Sequence, residues 1–109
     1  MMDNKLDAAY DKFTKVIELD PNWSEAWNKR ATAYFMMGNF DLSMKDISQT
    51  LQLEPRHFGA ISGLVQINMF FKNYSEALKN LDYVILINPF INIQQIRPDI
   101  LKLIKKSSI

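Results

Sequence analysis

Residues 24–57 read SEAWNKRATAYFMMGNFDLSMKDISQTLQLEPRH, and this stretch decides the fold. Trp27, Ala31 and Tyr34 fall at the spacing of one helix face. After Gly38-Asn39, Leu42, Ile47, Thr50 and Leu51 form a second stripe of the same kind. Glycine followed by asparagine breaks the pattern once, and Pro55 ends it. The residue before a proline is disfavoured in helical conformation, so the second helix should stop at Glu54. The stretch therefore predicts two helices joined by a tight turn.

The same pattern recurs on both sides. Pro21, Pro55 and Pro89 stand 34 residues apart. Leu19, Leu53 and Ile87 keep that step, as do Ile17, Leu51 and Ile85. Phe13, Ile47 and Leu81 form another set, with Ala9, Ser43 and Ala77 beside it, and Leu6, Phe40 and Tyr74 form one more. A fixed period of this length means a stack of units, each burying its apolar face only against its neighbours. In the following unit, Ile61, Leu64, Val65 and Asn68 predict the first helix. Leu78, Leu81, Val84 and Ile85 predict the second, after a turn at Lys72-Asn73. Ser24 and Ser75 are the expected N-caps, with Glu25 and Glu76 in the opening turns.

A 34-residue helix-turn-helix period with these landmarks resembles the tetratricopeptide repeat. Trp27, Ala31, Tyr34, Gly38, Ser43, Ile47, Thr50 and Pro55 stand where that repeat expects its signature residues. Arg30 replaces the commoner leucine, and Ser43 and Thr50 replace alanines. The resemblance implies an all-α, right-handed superhelix of antiparallel helix pairs, about six helices in this chain. It divides residues 1–109, as a single domain, into an orphan second helix (3–22), two repeats (24–57 and 58–91) and a C-terminal capping helix (92–109). A narrower likeness lies in Glu25-Ala26-Trp27-Asn28-Lys29-Arg30-Ala31-Thr32 and in Leu53-Glu54-Pro55-Arg56-His57-Phe58-Gly59-Ala60-Ile61-Ser62-Gly63. Both segments resemble a family of bacterial tetratricopeptide proteins common in alphaproteobacteria, with plant relatives. That family implies no established reaction. Its members usually carry an export signal and an extra N-terminal helical region, so the chain resembles the C-terminal part of such a protein. Periplasmic export of the full-length protein is what the likeness implies.

Composition narrows the function. The chain has 109 residues, is 48% hydrophobic and carries a net charge of +1, which suits a globular domain and provides no global field to draw nucleic acid or an anionic membrane. Acids outnumber bases nine to six in residues 1–55, and bases outnumber acids seven to three in residues 56–109. This reads as solvated helix faces with a basic tail. There is no cysteine, so thiol chemistry, disulfides and thiolate zinc sites are excluded. No apolar run approaches the roughly 20 residues of a membrane span. His57 is the only histidine and has no spaced metal-ligating companion. The carboxylates fall mostly on predicted outer faces or helix starts, with no buried pair fit for acid–base work. No glycine-rich phosphate loop is present. The sequence predicts no catalytic residue, no metal and no cofactor, and the chain is read as a non-enzyme.

In the repeat it resembles, first helices line a concave groove that takes peptides. The corresponding positions are Glu25, Asn28, Lys29, Thr32 and Met36 in one unit, and Gly59, Ser62, Gly63, Gln66 and Phe70 in the next. The expected function is a protein or peptide partner held in this groove. Asn28, Lys29, Thr32, Ser62 and Gln66 would bond its backbone, and Met36, Met69 and Phe70 would supply adaptable apolar contact. Arg56 and Lys29 would set charge preference. For His57, a contact at the mouth of the groove stands beside a structural role bonding the turn and capping the next helix. Some tetratricopeptide domains grip a chaperone C-terminus through a lysine, asparagine and arginine clamp. The matching positions here hold Lys29, Gly59 and Gly63, so that clamp is not expected. Gly59 and Gly63 lie in a predicted helix interior, where tight packing or a close ligand backbone would have to compensate.

Two ends complete the reading. Leu6, Tyr10, Phe13 and Ile17 on the orphan first helix either pack adequately on the next helix or leave a flank for self-association or for a missing N-terminal region. Ile96, Ile100, Leu103 and Ile104 predict a closing amphipathic helix with Pro98 in its first turn and Lys105-Lys106 at its end. A membrane-surface role for that helix is the alternative to capping.

Overall fold

The computed structural model describes residues 4–87 and 97–107, and every regular element among them is a helix. These are α1 (Asn4–Leu19), α2 (Ser24–Met36), α3 (Phe40–Leu53), α4 (Phe58–Phe70), α5 (Tyr74–Ile87) and α6 (Arg97–Ser107). No described helix is long and apolar enough to cross a membrane. The chain divides into two compact units, residues 1–60 and 61–109.

In the first unit α2 packs along α3 and, on its other side, along α1. Ile17 from α1, Ala26, Ala31, Ala33 and Tyr34 from α2, and Ile47 from α3 are buried. Small alanines on α2 let its neighbours approach, while Ile17 and Ile47 fill the space between. Burying such a branched side chain is worth about 1.5–3 kcal/mol. Leu6, Tyr10 and Phe13 are half-buried, so the exposed side of α1 is mixed rather than bare. Leu42, expected on the inner stripe of α3, is instead exposed. The buried stripe is Ser43, Asp46, Ile47 and Thr50.

That stripe is polar at three positions, and each is satisfied. The Ser43 hydroxyl donates to the Ala31 carbonyl at 2.7 Å, and the Thr50 hydroxyl donates to the Asp46 carbonyl at 2.8 Å. Asp46 is an exception to the expected outer placement of most carboxylates. It accepts two hydrogen bonds from Arg30, at 2.7 and 2.9 Å. The side chains of the pair are only 16% and 5% exposed. A third Arg30 donor reaches the Thr14 hydroxyl at 3.2 Å, tying α1 to the same point. The guanidinium also lies 5.3 Å from the Trp27 ring centre and 5.6 Å from that of Tyr34. A buried carboxylate survives only when paired and fully hydrogen-bonded, and here arginine's fork supplies both conditions.

In the second unit the core is Val65, Ala77, Leu81 and Ile100, with Met69, Tyr74, Leu78, Ile85 and Ile104 packed around it. Met69 thus packs on this core and is half-buried. Ile100 brings α6 onto α5, as a closing helix requires. Arg97 donates to Asp82 at 2.7 and 3.4 Å and fastens the start of α6. Asn68, where the repeat prefers tyrosine, donates its amide to Asn80 at 2.9 Å.

The helix starts differ from expectation. Trp23 is the N-cap of α2 and makes no side-chain cap bond, while Ser24 is already helical and donates to Glu54 at 2.7 Å. In α5 the helix opens at Tyr74, and the Asn73 carbonyl accepts the first helical N–H, from Ala77. Ser24 and Ser75 are therefore not caps. Each serine stands one or two residues past the observed cap, within the margin to which a sequence pattern places a helix start. Asn88, Pro89 and Ile96 lie outside the described residues, so the third proline landmark is not described.

Candidate functional site

The start of α2 faces the α3–α4 turn within the first unit. Between them lies an open recess of about 300 Å³, lined by Glu25, Asn28, Glu54, Arg56, His57, Phe58 and Gly59. Its anchor is His57. The Ala60 N–H donates to the imidazole Nδ1 at 3.1 Å, so His57 caps α4 with its ring. An Nδ1 that accepts carries no proton, so the neutral ring holds its hydrogen on Nε2. That Nε2–H lies 2.8 Å from Glu25 Oε1 and donates to it. The structural reading of His57 is thus realised, and both ring nitrogens are engaged.

Gly59 follows from that geometry. A Cβ at this position would come within 3.1 Å of His57 Cε1 and 3.4 Å of Nδ1. It would also stand 3.5 Å from the Asn28 side-chain nitrogen. The glycine leaves room for the capping ring, which is what compensates its helical cost. Phe58, 49% exposed, forms an apolar wall that the sequence did not single out. Its signal was available, since a large aromatic directly after a histidine in a turn has no inward stripe to join.

The two carboxylates of the recess are partly occupied: Glu25 accepts from His57 and Glu54 accepts from Ser24. The donors are not. The Asn28 carboxamide and the Arg56 guanidinium make no hydrogen bond or ion pair with any described residue. Of the expected contact residues, the recess brings together Asn28, Arg56 and His57. Lys29, Thr32 and Met36 sit on α2 outside it. Lys29 is exposed, the Thr32 hydroxyl is turned back onto the Asn28 carbonyl at 3.1 Å, and Met36 is 64% exposed. In the second unit Gln66 and Phe70 are exposed on α4 and Ser62 is half-buried. Phe70 meets Phe71 edge-on at 5.3 Å. Among the described residues no group of three or more histidine, aspartate or glutamate side chains is placed to hold a metal.

A second open recess, of about 440 Å³, lies at the other side of the first unit, lined by Asp7, Tyr10, Asp11, Tyr34, Met37, Asn39 and Leu42. The Tyr10 and Tyr34 rings meet there, 5.4 Å apart.

The sequence model of the tetratricopeptide repeat matches residues 12–45. Over 60 residues, 55% of this chain, the sequence is 52% identical to a TPR repeat-containing protein of Rhizobium etli, covering 29% of that protein. The chain spans under a third of the length of the curated relatives it matches. Among solved structures it is similar to the first TPR of Spaghetti (RPAP3) bound to the HSP90 peptide SRMEEVD. The TM-score is 0.82 at 23% identity, covering 97% of this chain and 82% of the other. It is also similar to the TPR2B domain of yeast Sti1 in complex with pHsp70, with a TM-score of 0.74 at 21% identity, covering 96% and 84%. The fold is that of the tetratricopeptide repeat, and the sequence model of that repeat matches one stretch of the chain, residues 12–45.

Proposed function

We propose that this chain is a non-catalytic interaction module that receives a protein or peptide segment on the exposed faces of its first helices, α2 and α4. The observation that carries the reading is the recess beside α2. It is concave, walled by a half-exposed phenylalanine, and presents a carboxamide and a guanidinium that have no partner among the described residues, while each of its carboxylates already accepts from an internal donor. Polar groups with unused hydrogen-bonding capacity beside an apolar wall suit a peptide backbone and its side chains. Asn28, Lys29, Thr32, Met36, Arg56 and His57 are the contact residues proposed on the first unit, and Ser62, Gln66 and Phe70 those on the second. One solved neighbour carries an HSP90 peptide and another is in complex with pHsp70, which supports the kind of ligand. Their particular ligand is not transferred, because the clamp positions here hold Lys29, Gly59 and Gly63.

The test is a peptide-library selection on the intact chain, followed by titration of the selected peptides. Replacing Asn28, Lys29 and Gln66 together with alanine should leave the helical circular dichroism unchanged and weaken binding at least about tenfold, as loss of contacts worth about 1.4 kcal/mol would do. Undiminished binding by that triple variant places the partner surface elsewhere. The alternative, docking through α1 on another copy or on further chain, rests on the second recess around Tyr10 and Leu42. Peptide-independent, concentration-dependent mass that charges at Leu6 and Phe13 abolish is its signature.

A further inference from the structure

We propose that His57 is a proton switch on the first turn of α4, and so on the floor of the recess. The ring satisfies two partners with one hydrogen. Nδ1 accepts from the Ala60 N–H at 3.1 Å, and Nε2–H donates to Glu25 at 2.8 Å. Only the neutral Nε2–H tautomer can do both. A second proton must go to Nδ1, the one ring nitrogen with a lone pair, and it then points at the Ala60 N–H. Two donors face each other and the cap is lost.

The other bond moves in the opposite sense. Imidazolium against a carboxylate is a stronger, charge-assisted pair, so the charged ring stays with Glu25 on α2 and leaves α4. The remaining charged groups of the recess are Glu54 and Arg56, both on the α3–α4 turn. Space for the swing exists because residue 59 has no side chain: a Cβ there would stand 3.1 Å from the ring. Residues 58–60, with Phe58 and Gly59 on the recess wall, are the part of α4 that the switch frees. The cap is therefore present where the ring is neutral and is lost where Nδ1 is protonated. That a bound partner would be released as this wall loosens rests on the function proposed above, whereas the switch itself does not.

His57 is the chain's single histidine, so its ring signals need no assignment. Nitrogen-15 NMR of the intact chain reads the tautomer, and amide hydrogen exchange, corrected for the intrinsic pH dependence, reads the Ala60 N–H without any partner. The expected result is an Nε2–H tautomer at neutral pH and a loss of Ala60 protection on the order of fivefold as the ring takes up its proton. His57→Asn, which can cap but cannot titrate, should show flat protection over the same range. An Nδ1–H tautomer at neutral pH, or Ala60 protection equal on both sides of the titration, overturns the proposal. Peptide binding that fails while the switch is observed overturns only the reading of the partner surface.

Discussion

Arg30 gathers more interactions than any other side chain described here, and it does so at a position where the repeat usually carries leucine. Its fork on Asp46, its bond to Thr14 and its place over two aromatic rings pin α1, α2 and α3 together. The Asp46 hydrogen bond raises the Arg30 pKa further above its ordinary value, so the charge is permanent. Asp46→Ala should therefore strand a buried cation and cost about 3 kcal/mol in urea unfolding, whereas the paired replacement Arg30→Met with Asp46→Leu should recover most of that loss. Tyr34 lies against the same arginine. Burial first, and neighbouring Tyr10 next, push its phenol up to about 12 from its ordinary 10.0. A proton held more tightly in the folded state stabilises it below the unfolded value, and that contribution is lost as pH rises from 10 towards 12. Alkaline unfolding should accordingly steepen over that window, and Tyr34→Phe should flatten it. Tyrosinate absorbance will show whether one of the four tyrosines titrates late.

The helices depend on how they end as much as on how they pack. α2 closes on Gly38, with φ at +83°, where the Asn39 N–H bonds the Tyr34 carbonyl at 2.8 Å and the Gly38 N–H bonds that of Phe35 at 3.0 Å. α4 closes on the equivalent residue in the same way. Lys72 has φ at +62°, the Asn73 N–H bonds the Asn68 carbonyl at 2.7 Å, and the Lys72 N–H bonds that of Met69 at 3.1 Å. The left-handed conformation is free for glycine and costs an L-residue about 1–2 kcal/mol. Glycine's greater freedom in the unfolded chain returns part of that difference. Lys72→Gly should thus stabilise by about 0.5 kcal/mol, and Lys72→Val, a branched residue in a left-handed site, should destabilise. Thermal unfolding midpoints that move the same way for both would contradict the turn geometry. At the chain's other end, Ile100 filling the core beside Leu81 gives α6 its place, with the Arg97–Asp82 pair as a second tie.

For the molecule as a whole, the fold was written in the period. Helix stripes and proline stops recur every 34 residues, and such patterns survive without knowledge of contacts, because apolar spacing alone dictates which face is covered. What escaped the sequence was pairing. Asp46 looked like a solvated acid because its partner sits on another helix, although its place between Ser43, Ile47 and Thr50 set it on the inner stripe. His57 offered two readings because which atom its ring faces depends on a backbone N–H three residues ahead. Phe58 was missed since nothing periodic marks it. The histidine cap also limits how freely this protein can be rebuilt. The Arg30–Asp46 pair lies within one hairpin and would travel with it. In an array made by concatenating residues 24–57, however, glutamate would follow where Gly59 now stands. Every junction would then press a methylene against the imidazole of the copy before. The most regular hairpin in the chain is therefore a crowded neighbour for itself, and lengthening the stack favours a successor whose second residue is glycine.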